Sequence, residues 1–89
     1  PLPTELATVS VNSMHEDADG TLWISTNGGL FRWADGRAFH FNTRHGLFSD
    51  VLYQVLDDGE GRLWFGSSRG IFAVPKRELD LVAANRAQK

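Results

Sequence analysis

Apolar residues along this chain fall in short runs separated by Gly, Asp and Asn, a pattern of small antiparallel strands rather than of amphipathic helices. Residues 9–16 mix apolar and polar positions with partial alternation, and Asp17-Ala18-Asp19-Gly20 turns the chain. Residues 21–26 read as a second strand, Asn27-Gly28-Gly29 as a tight return and residues 30–33 as a third strand. After Asp35-Gly36, residues 37–41 alternate Phe39 and Phe41 with Ala38 and His40, as in a strand with one covered face. Residues 50–57, 62–67 and 71–74 read as three more strands, with Glu60-Gly61 and Arg69-Gly70 at the returns. Two-residue hairpin loops need positive φ, which glycine supplies at little steric cost. Beyond Pro75, Leu79, Val82 and Ala83 recur at helical spacing, so residues 76–89 are expected to be a connector tail, helical or disordered, too short to hold a helix without packing.

The two groups of strands say nearly the same thing. A shift of 41 positions superposes Asp17 on Asp58, Gly20 on Gly61, Leu22 on Leu63, Trp23 on Trp64, Gly29 on Gly70 and Phe31 on Phe72 without a gap. Glu16 and Asp57, Asp19 and Glu60, Thr26 and Ser67, and Leu30 and Ile71 are conservative pairs in the same register. The second unit has no counterpart of the strand at residues 37–41.

The middle strands, LWIS and LWFG, are apolar at successive positions, so both of their faces are expected to be covered: Leu22 and Ile24 on one side, Trp23 on the other. Four-stranded sheets stacked face to face around an axis make a β-propeller, whose repeats commonly run to about 40–50 residues. The expected fold is all-β: two consecutive four-stranded antiparallel propeller blades, the second incomplete, with Trp23 and Trp64 wedged between neighbours. The expected division is an inter-blade link at residues 1–8, a blade at 9–44, a link and the incomplete blade at 45–75, and the tail at 76–89.

With the pattern residue-specific, the sequence resembles the two-component regulator propeller repeat, whose units run approximately V-x-S-I-x-E-D-x-x-G-x-L-W-I-G-T-x-x-G-L. Val11, Ser13, Met14, Glu16, Asp17, Gly20, Leu22, Trp23, Ile24, Thr26, Gly29 and Leu30 match one unit. Asp57, Asp58, Gly61, Leu63, Trp64, Gly66, Gly70 and Ile71 match it again. His45 to Val51, HGLFSDV, is similar to the family's inter-blade link, and Leu2-Pro3 to the tail of a preceding one. Ser25 stands where the family usually has Gly. The resemblance implies a non-enzymatic, ligand-sensing fragment of a bacterial signal-transduction protein. Its place would be periplasmic, in the extracytoplasmic region ahead of a membrane span and a histidine kinase or diguanylate cyclase output. Because two blades cannot close a ring, the chain is expected to be a piece of a larger sensor. Its partners would be the remaining blades and a small or carbohydrate ligand. The alternative is a protein-interaction or dimerisation scaffold with no small ligand. Blade faces left open in isolation are expected to associate, so that about three or four copies close a ring as a homo-oligomer.

Composition narrows this picture. Nine Lys and Arg against eleven Asp and Glu give a net charge of −2 with no block of one sign, so neither nucleic acid nor direct membrane contact is expected. The absence of cysteine excludes disulfides, thiolate zinc sites and a cysteine nucleophile. No apolar run approaches the ~18 residues of a membrane span, and the first ten residues lack the pattern of a signal peptide, so any such segment is expected outside this chain.

Candidate chemistry is sparse. Gly66-Ser67-Ser68-Arg69-Gly70 fits G-x-S-x-G, with Ser68 as the nucleophile, but that chemistry requires a strand-to-helix turn and a strand follows here. Asp17 and Asp19 resemble the start of a calcium loop, yet His15 stands at the preceding ligand position. His15, His40 and His45 lie on different elements without the close pair of a zinc site, and His15 and Glu16 point to opposite faces of a strand. Catalytic residues, metal ligands and cofactors are therefore expected to be none. Asn12, Arg32, Tyr53 and Arg69 are rim positions, and the ligand-binding residues stay unassigned.

Overall fold

The computed structural model of the chain describes residue 6 and residues 8–87. Strands β1 (Val11–Glu16), β2 (Leu22–Thr26), β3 (Gly29–Ala34) and β4 (Arg37–Phe41) form one antiparallel sheet in sequential order. Strands β5 (Leu52–Asp57), β6 (Arg62–Ser67) and β7 (Gly70–Pro75) form a second sheet of three, and helix α1 (Lys76–Ala87) follows β7 directly. These are two consecutive blades of a propeller, the second short of its outer strand. The expected leading link at residues 1–8 lies mostly outside the described residues.

The repeated residues build the same local structure twice. The Asp17 carboxylate accepts the indole N–H of Trp23 at 2.7 Å, and Asp58 accepts that of Trp64 at 3.1 Å. Each acid thus fixes the tryptophan six residues on by a charge-assisted bond. At the β2–β3 hairpin the Thr26 hydroxyl donates to the Gly29 carbonyl at 2.8 Å and accepts from the Gly28 N–H at 2.9 Å. Ser67 makes the same pair of bonds to Gly70 and Arg69 at 2.6 and 3.2 Å. That is why a hydroxyl residue stands at both positions: it closes the turn that glycine opens.

Strand register sorts the side chains. In the first blade Trp23, Ser25, Leu30, Phe39 and Phe41 share one face, and Met14, Ile24, Phe31 and His40 the other. In the second, Val55, Leu63, Phe65 and Phe72 share one face, and Leu56, Trp64, Gly66 and Ile71 the other. The Trp23 face of blade one lies on the Leu63 face of blade two. The two meet in one core with Leu47 of the link and Leu79 and Ala83 of α1. The link enters this core through a 3₁₀ turn at Thr43–His45, capped by Asn42 and closed by Gly46 with φ +92°.

The expectation for the middle strands holds in one blade and not the other. Trp23 is 1% exposed, as if wedged between sheets, whereas Trp64 is 38% exposed because no sheet covers its side of blade two. Helix α1 takes no part in covering that side. It packs through Leu79 and Ala83 on the opposite face, at the outer end of the seam between the blades. Ser25, also fully buried at the seam, has a hydroxyl without a hydrogen-bond partner, as does Ser13 opposite it on β1. A buried hydroxyl left unbonded costs about 1–3 kcal/mol. Ser25→Ala is therefore expected to leave the melting temperature unchanged or raise it in calorimetry.

Candidate functional site

The seam carries a polar cluster at the ends of the inner strands. β1 delivers His15, the turn after it Asp17, the end of β5 Asp57, and the first residue of α1 Lys76. The Lys76 ammonium lies 3.1 Å from Asp17 Oδ1 and 2.8 Å from Asp57 Oδ2. His15 Nε2 lies 3.0 and 3.2 Å from the same two oxygens. Because both are acceptors, Nε2 is the ring nitrogen that carries hydrogen. One cluster thus joins both blades and the helix. A second bond crosses at the other end of β1, where the Asn12 amide donates to the Leu52 carbonyl and to Asn27 Oδ1, each at 2.8 Å.

Electrostatics match this geometry. The Lys76 ammonium, with the Gly59 N–H, holds the Asp57 carboxyl down at about 2, and Asp57 in turn holds the Lys76 amine above its ordinary value. Asp58 also sits well below the usual carboxylate range, chiefly because the Glu60 N–H donates to it, with the Trp64 indole and Arg62 adding to the effect. A carboxylate depressed on folding contributes stability above its unfolded value and loses it as pH falls toward the folded one. The melting temperature is therefore expected to drop as pH falls from about 4 to about 2. Lys76→Met would leave two carboxylates facing each other. Breaking a fully buried pair costs about 3–5 kcal/mol, and partial exposure of the ammonium reduces the expected loss at neutral pH to about 1–2 kcal/mol. The difference between variant and wild type in acid-titrated thermal melts should shrink as pH falls toward about 2, where Asp57 takes up its proton and the ion pair with Lys76 is lost.

His15, Asp17 and Asp57 are, among the described residues, the one group whose ligand atoms lie close enough to hold a metal ion, within 4.8 Å of one another. Lys76 already places a cation against both carboxylates, so the cluster acts as an ionic clasp. The strand reading separates His15 from Glu16, as expected. The acid that meets His15 across the seam, Asp57, lies in the other repeat and carries no local sequence signal. The other histidines do not join it. His40 donates through Nε2 to the Gly28 carbonyl and stacks on Phe31, and His45 Nδ1 accepts the Asn42 N–H. Asp19 turns its carboxylate back to the Thr21 N–H, away from the one Asp17 offers to Trp23 and the clasp. Ser68 lies in the β6–β7 return, its hydroxyl 3.2 Å from that of Ser49, and a strand follows it.

A second feature is a groove of about 500 Å³ between the β3–β4 hairpin and α1. Arg32, Asp35, Arg37 and Asp80 supply charge along its walls, and Phe39 and Ala83 supply apolar surface. Arg32 donates to Asp80 at 2.9 Å and lies over the Trp23 ring at 5.8 Å from its centroid. Its volume is that of a small-molecule site. Of the rim positions named from sequence, Arg32 lines the groove, Asn12 bridges the seam, Tyr53 is exposed, and Arg69 lies over Phe48 at 5.1 Å. No helix among the described residues is long and apolar enough to cross a membrane.

Comparison with known families finds one match, twice. The family model described as two component regulator propeller matches residues 5–28 and 46–69, together more than half of the chain. The two matches are offset by the same 41 positions as the internal repeat. No curated protein matches the chain at a significant level.

Proposed function

The chain belongs to the two component regulator propeller family, and on that footing we propose that it is part of a ligand-sensing propeller in the extracytoplasmic, periplasmic region of a bacterial signal-transduction protein. In this reading the chain does no chemistry of its own: it binds, and passes a change in blade packing to an output domain. The observation that carries it is the groove between blade one and α1. It is ligand-sized, is lined by Arg32, Arg37, Asp35 and Asp80, of which Arg32 and Asp80 are paired, and has an aromatic wall at Phe39. Planar guanidinium and carboxylate groups beside an aromatic ring suit a small polyhydroxylated or anionic ligand such as a sugar. Both walls are tied to the seam, since Arg32 reaches Trp23 and α1 carries Lys76. A ligand that displaced Asp80 from Arg32 would therefore bear on how the blades pack.

Titration with a panel of mono- and oligosaccharides and small carboxylates, read by tryptophan fluorescence and calorimetry, tests this. A saturable change that Arg32→Ala weakens at least tenfold supports the reading. A flat response across the panel favours the alternative, a scaffold that binds protein chains or its own copies. The observation in favour of that alternative is the apolar surface around Trp64.

A further inference from the structure

Among the described residues, the pair of Arg32 and Asp80 is the one ion pair between the two walls of the groove, and its partners are held unequally. Arg32 lies on β3 in register between Trp23 of β2 and Phe39 of β4, with its guanidinium over the Trp23 ring and its side chain 24% exposed. Asp80 is 51% exposed on α1, and its carboxylate has no other partner among the described residues. Water competes for both ends of a pair this open, so it holds weakly. Asp80 is the end that gives way, and Arg32 the end that stays.

Arg32 also has donors to spare. It reaches Asp80 through Nε alone, and its two terminal nitrogens have no hydrogen-bond partner among the described residues. A guanidinium binds a carboxylate best through two parallel N–H groups. The Arg37 side chain, on the same groove, makes no ion pair among the described residues. With Asp80 in place, Arg32 and Arg37 balance Asp35 and Asp80. With Asp80 turned away, one positive charge is left over. A ligand carrying one negative charge restores the balance, whereas a neutral ligand would exchange a charge-assisted bond for weaker ones. The rest of such a ligand has room, because Ala83 and Ala84 are small on the α1 wall. Opposite charge, it meets an apolar surface held in place, since the Phe39 ring packs against Phe41 at 4.7 Å and His45 at 5.4 Å.

We infer that the groove takes a ligand bearing a carboxylate, that Arg32 and Arg37 bind this carboxylate, and that Asp80 holds its place as an internal carboxylate until the ligand arrives. The inference rests on the groove being the ligand site, and adds which group is recognised and what competes for it. Asp80 lowers the affinity by as much as its bond to Arg32 is worth, because only molecules in which Asp80 has let go can bind. Binding also frees the middle of α1 from β3, while Lys76 and Leu79 keep the start of the helix on the seam.

Calorimetric titration with glucuronate, glucose and succinate tests this on the wild type, Asp80→Asn and Arg37→Gln. Glucuronate has the ring of glucose with a carboxylate added, so the two sugars isolate the charge. Glucuronate should bind the wild type saturably and glucose at least tenfold more weakly. Asp80→Asn should tighten glucuronate by about two- to fivefold, the range an exposed ion pair allows, and Arg37→Gln should weaken it by about threefold or more. Asp80→Ala, at the same half-exposed position, should tighten it as well and replaces Asp80→Asn if that variant fails to fold. Succinate binding beside glucuronate supports recognition of the carboxylate alone, and glucuronate binding without succinate supports recognition of an acidic sugar. Glucuronate affinity that is unchanged or weaker without Asp80, or glucose binding as tight as glucuronate, overturns the inference and leaves the groove a ligand site. Flat titrations with all three compounds, in the wild type and in Asp80→Asn, overturn it together with the groove reading on which it rests.

Discussion

Trp23→Ala should cost about 3–5 kcal/mol of unfolding free energy, and Trp64→Ala about 1 kcal/mol or less, when both are measured by urea titration at a concentration that keeps the chain monomeric. The two residues occupy the same place in the same motif, bonded to the same kind of carboxylate. What separates them is the environment. Trp23 is fully enclosed in the seam with Leu63, Phe65 and Leu79, so truncation opens a cavity and orphans an acceptor on Asp17. Trp64 lies half in water under Arg62, and its loss leaves a surface that solvent refills. A domain of this length commands roughly 4–13 kcal/mol in total, so the first change removes a large share of it. Equal costs for the two substitutions would mean that the blades are not stacked as described.

The paired glycines should behave as unequally. Gly29 and Gly70 both have strongly positive φ, +112° and +115°. Any L side chain at these values carries about 1–3 kcal/mol of backbone strain. At Gly70 a methyl group would project into open space, so Gly70→Ala should cost no more than that strain. At Gly29 the methyl would run into the Phe41 carbonyl on the neighbouring strand and against the His40 ring. Backbone cannot yield there without opening the β3–β4 ladder, so Gly29→Ala should exceed about 3 kcal/mol. In thermal melts, Gly29→Ala should lower the midpoint by more than about 12 °C, and Gly70→Ala by well under that. The second blade escapes the clash because it has no fourth strand to supply the obstructing carbonyl.

These pairs also mark how far the residues themselves could be read. Strands and returns were legible because their causes are local: Asn-Gly and Asp-Gly set the turns, and alternation set the faces. The repeat was legible because Asp, Trp, Gly and hydroxyl residues recur at one offset. It held a further signal, since an acid and a tryptophan six residues apart in both units imply the indole-to-carboxylate bond. The fate of Trp64 was not legible, because its neighbours in sequence match those of Trp23 and only the presence of another sheet distinguishes them. The clasp was hidden for a related reason. His15 and Asp17 meet Asp57 and Lys76 only when two blades and a helix are in place, and no periodicity links a lysine at a helix start to a strand of the other repeat. The groove was equally hidden, because its walls come from β3, β4 and α1.

The seam, built around the same residues that the two repeats share, makes the two blades one structural unit. Native-state hydrogen exchange measures this at the amides of β2 and β6, the middle strands of the two sheets. Neither sheet has a second cover for its seam face, so both sets of amides are expected to exchange through one shared opening, with equal free energies that fall together in Lys76→Met. Amides of one strand that exchange with a markedly lower free energy, and are untouched by Lys76→Met, would show two blades folding independently and would contradict the seam.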